Sequence, residues 1–357
     1  MIRVVRLAEE SMGASRWFLS EEPRAMIYAS PEYAHFLANV VTGEFQCLLA
    51  FEGDDLVGSL PYFRTEHPDL GCVINSLPWY GSHGGCTLSS KARSEVRAEL
   101  LLAYRRMLAS QEVLSATMVL TPSETTHLEE YRRALEPYLV DRRIGQVTCL
   151  PSEEEDLEDG LARRVAQKTR NLVRKSLKQG FSIEATEEEE AWRFLSDTHH
   201  ANMHAIGGKA KPWNHFLALR KCLPGDWRRL WIATADGQPV AALLLLYFNQ
   251  TVEYFTPVIL HEYRSRQPLS YLIWHAMLDA ARRGYRWWNW GGTWLSQKSL
   301  HHFKAGWGAG DEPYCYLINT SESALARLRA NQTMVQAAFP YYYTHPYSEE
   351  GSGPYAE

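Results

Sequence analysis

The chain has 357 residues, 45% of them apolar and 22% charged, enough length for about two globular domains and enough apolar material for their cores. A net charge of −5 argues against a protein that coats nucleic acid, though it leaves room for a local basic patch. The N-terminal MIRVVRLAEESMG has no apolar signal core, and no stretch nears the ~20 apolar residues of a membrane span, so a cytoplasmic chain is expected.

From the N-terminus, LLAFEGDDLVGSLPYF (Leu48 to Phe63) reads as a β-hairpin: two apolar strands around a turn of Gly and Asp. The strand CVINSL follows, then the loop LPWYGSHGGC (Leu77 to Cys86), a helical run from Lys91 to Ala109 and a strand at Ser115–Leu120. Next comes the sharpest charge shift in the chain. SEEEDLEDG (Ser152 to Gly160) is acidic, whereas LARRVAQKTRNLVRKSLKQG (Leu161 to Gly180) carries seven Lys or Arg and no acid. The acids suit a helix N-terminus and Gly180 its C-cap. Arg170, Arg174 and Lys175 therefore lie either on a solvated linker helix or on a docking surface for a polyanion.

The first order then recurs. WIATADGQPVAALLLLYF (Trp231 to Phe248) is a second hairpin, followed by the strand TVEYFTPVIL, the loop HEYRSRQPLS, a helical run from Tyr271 to Tyr285 and a strand at Arg286–Trp290. Repetition of strand, strand, strand, helix, strand predicts two copies of one α/β (α+β) domain, each a mixed sheet flanked by helices. The expected bounds are 1–150 and 151–345, with a loose tail over 346–357.

Each copy has a loop between its third strand and its helix. In the first, Trp79 and Tyr80 offer flat faces, Gly81, Gly84 and Gly85 let backbone N–H groups come close to a phosphate, and Ser82 or His83 is a polar anchor. The competing reading is a strand-to-helix corner with His83 exposed. In the second, Arg264 and Arg266 either grip phosphate or mark an exposed basic turn. HHANMHAIGGKAKPWNHF (His199 to Phe216) sits between two helices, where Asn202 and His204 either line a cleft, with Tyr254, or pack between helices. The cysteines Cys47, Cys72, Cys86, Cys149, Cys222 and Cys315 form no CxxC pair and read as free thiols. The pairs His199–His200 and His301–His302 have no Cys or carboxylate at ligand spacing, so no metal is expected.

The hairpin, strand, loop and helix order resembles the GNAT acyltransferase domain, whose loop before that helix holds the pyrophosphate of acyl-CoA. RSRQPLS (Arg264 to Ser270) keeps the leading arginine of that family's Q/R-x-x-G-x-G/A loop but has Gln267 and Leu269 at the glycine positions. The paired halves, RNLVRKSLKQG and GGTWLSQKSLHHFKAGWGA (Gly291 to Ala309) together resemble the FemABX group. That resemblance implies a fold of tandem GNAT domains and metal-free transfer of an amino acid from aminoacyl-tRNA, as co-substrate, to an amine. It implies a first half that receives the acceptor, so that Trp79, Tyr80, Ser82, His83 and Gly84 would line the acceptor site. It also implies a donor contact from Phe303; Arg264, Arg266, Ser270, Arg170, Arg174 and Lys175 are the further candidates for binding the donor.

By the same resemblance Lys304 supports the reacting centre. A positioned ammonium suits the oxyanion formed when an amine attacks an ester, and Phe303 suits stacking on a terminal adenine. The plain alternative for Lys304 is a partly exposed surface lysine beside a buried Phe and Trp307, whose truncation would cost about a kcal/mol at most. Two other functions stay open: an acyl-CoA-dependent N-acyltransferase acting on an amino sugar, and a non-catalytic binding protein of this fold. The missing loop glycines speak against the first and Lys304 against the second.

Overall fold

The structure is a computed structural model that describes residues 1–109, 112–152, 154–294 and 296–346. The tail expected at 346–357 lies, from residue 347 on, outside the described residues. In chain order the strands are β1 (Ile2–Arg6), β2 (Glu44–Glu52), β3 (Asp55–His67), β4 (Gly71–Ser76), β5 (Thr87–Leu88), β6 (Val113–Val119) and β7 (Leu139–Cys149). They continue with β8 (Ser182–Thr186), β9 (Arg228–Ala235), β10 (Gln238–Phe248), β11 (Thr251–Ile259), β12 (Trp287–Thr293) and β13 (Gly310–Asn319).

The chain divides into two compact units. Unit 1 is Met1–Arg143 with the described residues from Pro313 onward, and unit 2 is Ile144–Glu312. This corrects the expected boundaries. The last described residues belong to the first unit rather than the second, because hydrogen bonds tie them there. Tyr316–Asn319 of β13 pair antiparallel with β6, Tyr343 N–H donates to Asn75 Oδ1 at 2.7 Å, and Ser115 Oγ donates to Thr344 O at 2.5 Å.

Unit 1 has the strand order β1-β2-β3-β4-β6-β13, with β5 added to β3. All neighbours are antiparallel except β4 and β6. The helix Glu95–Ala109 makes the crossover between these two. It buries Val96, Leu100, Leu101, Tyr104 and Met107, a spacing of three and four that lays one apolar face on the sheet. Its partners include Tyr62, Ile74, Met118 and Leu317.

Unit 2 repeats the plan as β8-β9-β10-β11-β12-β7, again with one parallel pair, β11 and β12. The helix Pro268–Arg282 crosses between them. Proline at its first turn is tolerated because that N–H would have no helical partner. The continuous apolar run of β10 is buried from Val240 through Phe248, as a strand covered on both faces requires.

The basic stretch expected as one helix forms two, Leu157–Arg164 and Gln167–Leu177. Extended backbone at Ala166 breaks it. The break is held by Arg170, which donates to Ala162 O at 2.5 Å and Val165 O at 2.9 Å, and by Ala166 N–H on Gly306 O at 2.9 Å.

Candidate active site

In unit 2, β11 and β12 pair only over Thr251–Glu253 and Trp287–Asn289, and then part. At the last pair, Asn289 Nδ2 donates to Glu253 Oε2 at 2.8 Å, and both side chains are buried. Asn289 Oδ1 accepts Gly291 N–H at 3.0 Å. Along β7 the register slips here, with Asn289 opposite Val147 but Gly292 opposite Gly145. One extra residue is therefore bulged into β12, and Gly291 takes a φ of 72°, which glycine adopts without strain.

Lys304, on the helix Lys298–Gly306, points into this bulge. Its Nζ donates to Gly292 O at 2.9 Å, Thr293 Oγ1 at 2.9 Å and Gly291 O at 3.3 Å. Only 3% of Lys304 is exposed, which corrects the expectation of a partly exposed lysine. Thr293 Oγ1 donates in turn to Gln146 Oε1 at 3.3 Å, and Gln146 Nε2 holds His301 O at 3.2 Å.

The neighbouring Phe303 is 39% exposed, and its ring meets Trp290, the other residue of the bulge, edge-on at 5.9 Å. The half-buried Tyr254 packs against Trp290 with ring centroids 4.8 Å apart and planes tilted by 50°, and burial raises the pKa of its hydroxyl. Phe303 and Lys304 thus both rest on residues 290–293, one facing solvent and one buried.

The loop before Pro268–Arg282 is a tight turn over His261–Arg266 that ends on Gln267, at φ 63°. Two of its amides are used within the turn: Gln267 N–H bonds Arg264 O at 3.3 Å and Ser270 N–H bonds Gln267 O at 3.0 Å, while Pro268 has none to give. The buried Ser270 donates its hydroxyl to Gln267 Oε1 at 3.0 Å. Arg264 is exposed. Arg266 bonds Gln179 twice, at 3.1 Å each, and lies over Phe181 and Tyr263.

The basic helix is joined to this loop, since Lys175 Nζ donates to Ser265 O at 2.9 Å. Val173 and Ser176 face inward, leaving Lys168, Arg174, Lys175 and Lys178 exposed. Among the described residues of the preceding acidic run, none is paired with these four. Its Glu155 binds Arg163 and Arg164 instead, and chiefly the Arg164 hydrogen bond holds the Glu155 carboxyl down at about 2.

The loop of unit 1 is built differently, and it corrects the expected acceptor wall. Trp79 is buried at φ 80°, packed on Phe36, Tyr80 and Tyr341, with its N–H on Tyr341 O at 2.8 Å. Ser82 is buried and shares a hydrogen bond with Tyr33 OH at 2.8 Å.

The amides of Gly84 and Gly85 are already taken within the unit. Gly84 N–H bonds Val119 O at 2.6 Å, Gly85 N–H bonds Ser76 Oγ at 3.0 Å and Cys86 N–H bonds Tyr131 OH at 2.9 Å. His83 is buried rather than exposed, with Nδ1 on Leu120 O at 2.9 Å, and burial pushes its pKa down to about 4. Tyr80, half-buried, and Gly81 are the parts of the loop that face solvent.

Asn202 ties off the end of β11, donating to Ile259 O at 3.1 Å and accepting Ile259 N–H at 3.3 Å. His204 is exposed in the last turn of the helix Glu189–Ala205. Among the described residues no group of three or more His, Cys, Asp or Glu could hold a metal ion. Within the same residues no helix is long and apolar enough to cross a membrane. Sequence reasoning missed Glu253, Asn289, Thr293 and Gln146. Asn289 sits inside the apolar WWNWGG, and a polar residue amid tryptophans at a strand end was the available signal.

This geometry defines a class. Residues 162–314 match the family model of the acetyltransferase (GNAT) domain, and unit 2 has that domain's fold. The two units together have the tandem GNAT fold of FemX. The chain superposes on FemX with a TM-score of 0.70 at 12% identity, covering 93% of this chain and 99% of that one. It is also similar to L-PGS from Bacillus licheniformis (TM-score 0.54, 12% identity, 93% and 96% covered). A third likeness is to a tandem GNAT protein from the clavulanic acid biosynthesis pathway (TM-score 0.51, 15% identity, 89% and 98% covered). No curated protein matches the sequence.

Proposed function

We propose that the protein is an N-acyltransferase of FemAB-like architecture that moves an aminoacyl group from aminoacyl-tRNA to an amine. The acceptor class is a cell-wall precursor, a nucleotide-activated sugar or a small metabolite. The observation that carries this reading is the donor side of unit 2. There a helix with Lys168, Arg174 and Lys175 exposed, and Lys178 exposed at its C-cap, is bonded through Lys175 and Ser265 to a turn in which the Gln267 and Ser270 amides are taken up and Pro268 has none. A pyrophosphate needs a cradle of free backbone N–H groups, whereas a polynucleotide needs spread positive charge.

In the reaction the acceptor amine attacks the ester carbonyl. A C–N bond forms, the C–O bond to the terminal ribose breaks, and the proton lost by the amine ends on the ribose hydroxyl. Lys304 serves as a fixed positive charge beneath the β12 bulge. Its hydrogen bonds go to residues 291–293, and its charge favours the tetrahedral oxyanion through the low-dielectric interior. Phe303 is the exposed face on which the terminal base stacks. Arg264, Lys168, Arg174 and Lys178 meet phosphates, while Arg170 and Arg266 shape the surface from within. Because charged tRNA is a cytoplasmic substrate, the reaction places the protein in the cytoplasm.

The test is incubation with charged total tRNA, and separately with labelled acetyl-CoA, following label into amine-containing extracts. Transfer from tRNA supports the reading. Transfer from acetyl-CoA alone replaces it with an acyl-CoA-dependent enzyme, and transfer from neither leaves a binding protein.

A further inference from the structure

Burying a carboxylate and an ammonium in one domain core is expensive, since each must leave water. Unit 2 does this where β11 and β12 part: Glu253 is 4% exposed and Lys304 3%. A chain of short contacts connects them. Glu253 Oε2 accepts from Asn289, Asn289 Oδ1 accepts Gly291 N–H, and the carbonyls of Gly291 and Gly292 accept from Lys304. Successive carbonyls of a regular strand point to opposite sides, so one ammonium cannot reach two of them. The extra residue in β12 removes that alternation, and the Asn289 side chain pins it by holding the Gly291 amide two residues on.

We infer that Glu253 and Asn289 are positioning residues for acyl transfer, holding the β12 bulge in the one arrangement that cages the Lys304 ammonium and carries the Phe303 platform. The inference rests on the proposed acyltransferase reading. Neither residue touches the reacting atoms. Both act through residues 290–293, on which Lys304 and, by way of Trp290, Phe303 are seated.

The bond between the two side chains can be reversed. In Asn289→Asp the donor is lost and two carboxylates face each other. In the double variant Glu253→Gln with Asn289→Asp, the new amide donates and the new carboxylate accepts, while that carboxylate's other oxygen still takes the Gly291 N–H. Measured with wild-type protein and whichever donor it uses, Asn289→Asp should lower kcat by about 10²-fold and leave the acceptor KM within about 2-fold. The double variant should recover to within about 5-fold of wild type, with a melting transition close to that of wild type.

A single variant at the wild-type rate would overturn the inference, as would a folded double variant that stays as slow as the single one. If Asn289→Asp does not fold, the double variant alone decides by its rate. A wild-type protein that transfers from no donor sinks the acyltransferase reading instead, a result visible before any variant is made.

Discussion

The two units share one strand order and one crossover helix, yet they treat the gap between their parallel strands in opposite ways. In unit 1, β4 and β6 stay paired through Ser76 and Met118. The chain leaving β4 then folds back between them: Gly84 bridges to Leu120, Gly84 N–H takes Val119 O, and His83 takes Leu120 O. In unit 2, β11 and β12 part after Glu253 and Asn289, and the space beside them is bordered by a bulge, a caged ammonium and an exposed phenylalanine. A duplicated fold has thus kept one closed corner and one chemically equipped opening. Closure takes a glycine with no Cβ, since a Cβ on Gly84 would lie 2.2 Å from Ser76 O.

The comparison breaks most easily at Lys304. Lys304→Met keeps the stem and removes the charge, and transfer should fall about 10²-fold, because the fixed charge that favours the oxyanion and the cation that ties residues 291–293 are lost together. Because the side chain is buried and leaves Gly292 O and Thr293 Oγ1 without its donors, stability should also drop by about 2–3 kcal/mol. Denaturant unfolding beside a transfer assay separates the two effects. Normal turnover in this variant would remove unit 2's claim to the chemistry.

Gly84→Ala attacks the other side of the comparison. The methyl group cannot fit against Ser76 O unless the Val119 bond breaks, so unit 1 should lose about 3 kcal/mol. Donor binding should be unchanged. Full stability with weaker acceptor binding would instead return the loop Trp79–Gly84 to the role of an acceptor wall.

Most of the scaffold was legible in the sequence, because hairpins and buried strands declare themselves by local pattern. The two hairpins, both crossover helices and the repeat appear within a few residues of where the pattern put them. What was not legible depends on distant partners. The amides of Gly84, Gly85 and Cys86 look free until Val119, Ser76 and Tyr131 arrive from other elements. YCYLI in β13 suits either unit as a strand, and only its pairing with β6 decides. Lys304 looks like a surface lysine because its acceptors, two backbone carbonyls and a hydroxyl, leave no charge pattern. The break at Val165–Ala166 contains no Gly or Pro, and a guanidinium from Arg170 holds it instead.

A smaller effect is expected on the basic helix. Arg170 belongs to the helix break and Lys175 to the loop, so the residues free to meet phosphates are Lys168, Arg174 and Lys178. Changing these three to Gln should flatten the salt dependence of tRNA binding by a log–log slope of about 2–3. An unchanged slope would make the helix a solvated linker and remove the main support for a tRNA donor.

The smallest effect concerns His83, and it asks which unit makes the protein acid-sensitive. Burial lowers its pKa to about 4, against an ordinary value near 6.5. Between those two values the unfolded chain binds the proton that the folded chain refuses. Its contribution to stability is therefore complete above about pH 6.5 and declines as pH falls toward 4, by up to about 1.4 kcal/mol per pH unit. His199 and His215 in unit 2 are lowered in the same direction, mainly by burial, to about 3 and about 4. His83→Asn keeps an amide able to donate to Leu120 O but cannot titrate. Its unfolding free energy, followed from pH 7.5 to 4.5, should fall less steeply than that of the wild type, with little difference at pH 7.5 beyond the lost ring contacts to Tyr28 and Tyr314. An unaltered slope would assign the acid sensitivity to the other histidines that burial lowers, His199, His215 and His275 in unit 2 and His345 in unit 1.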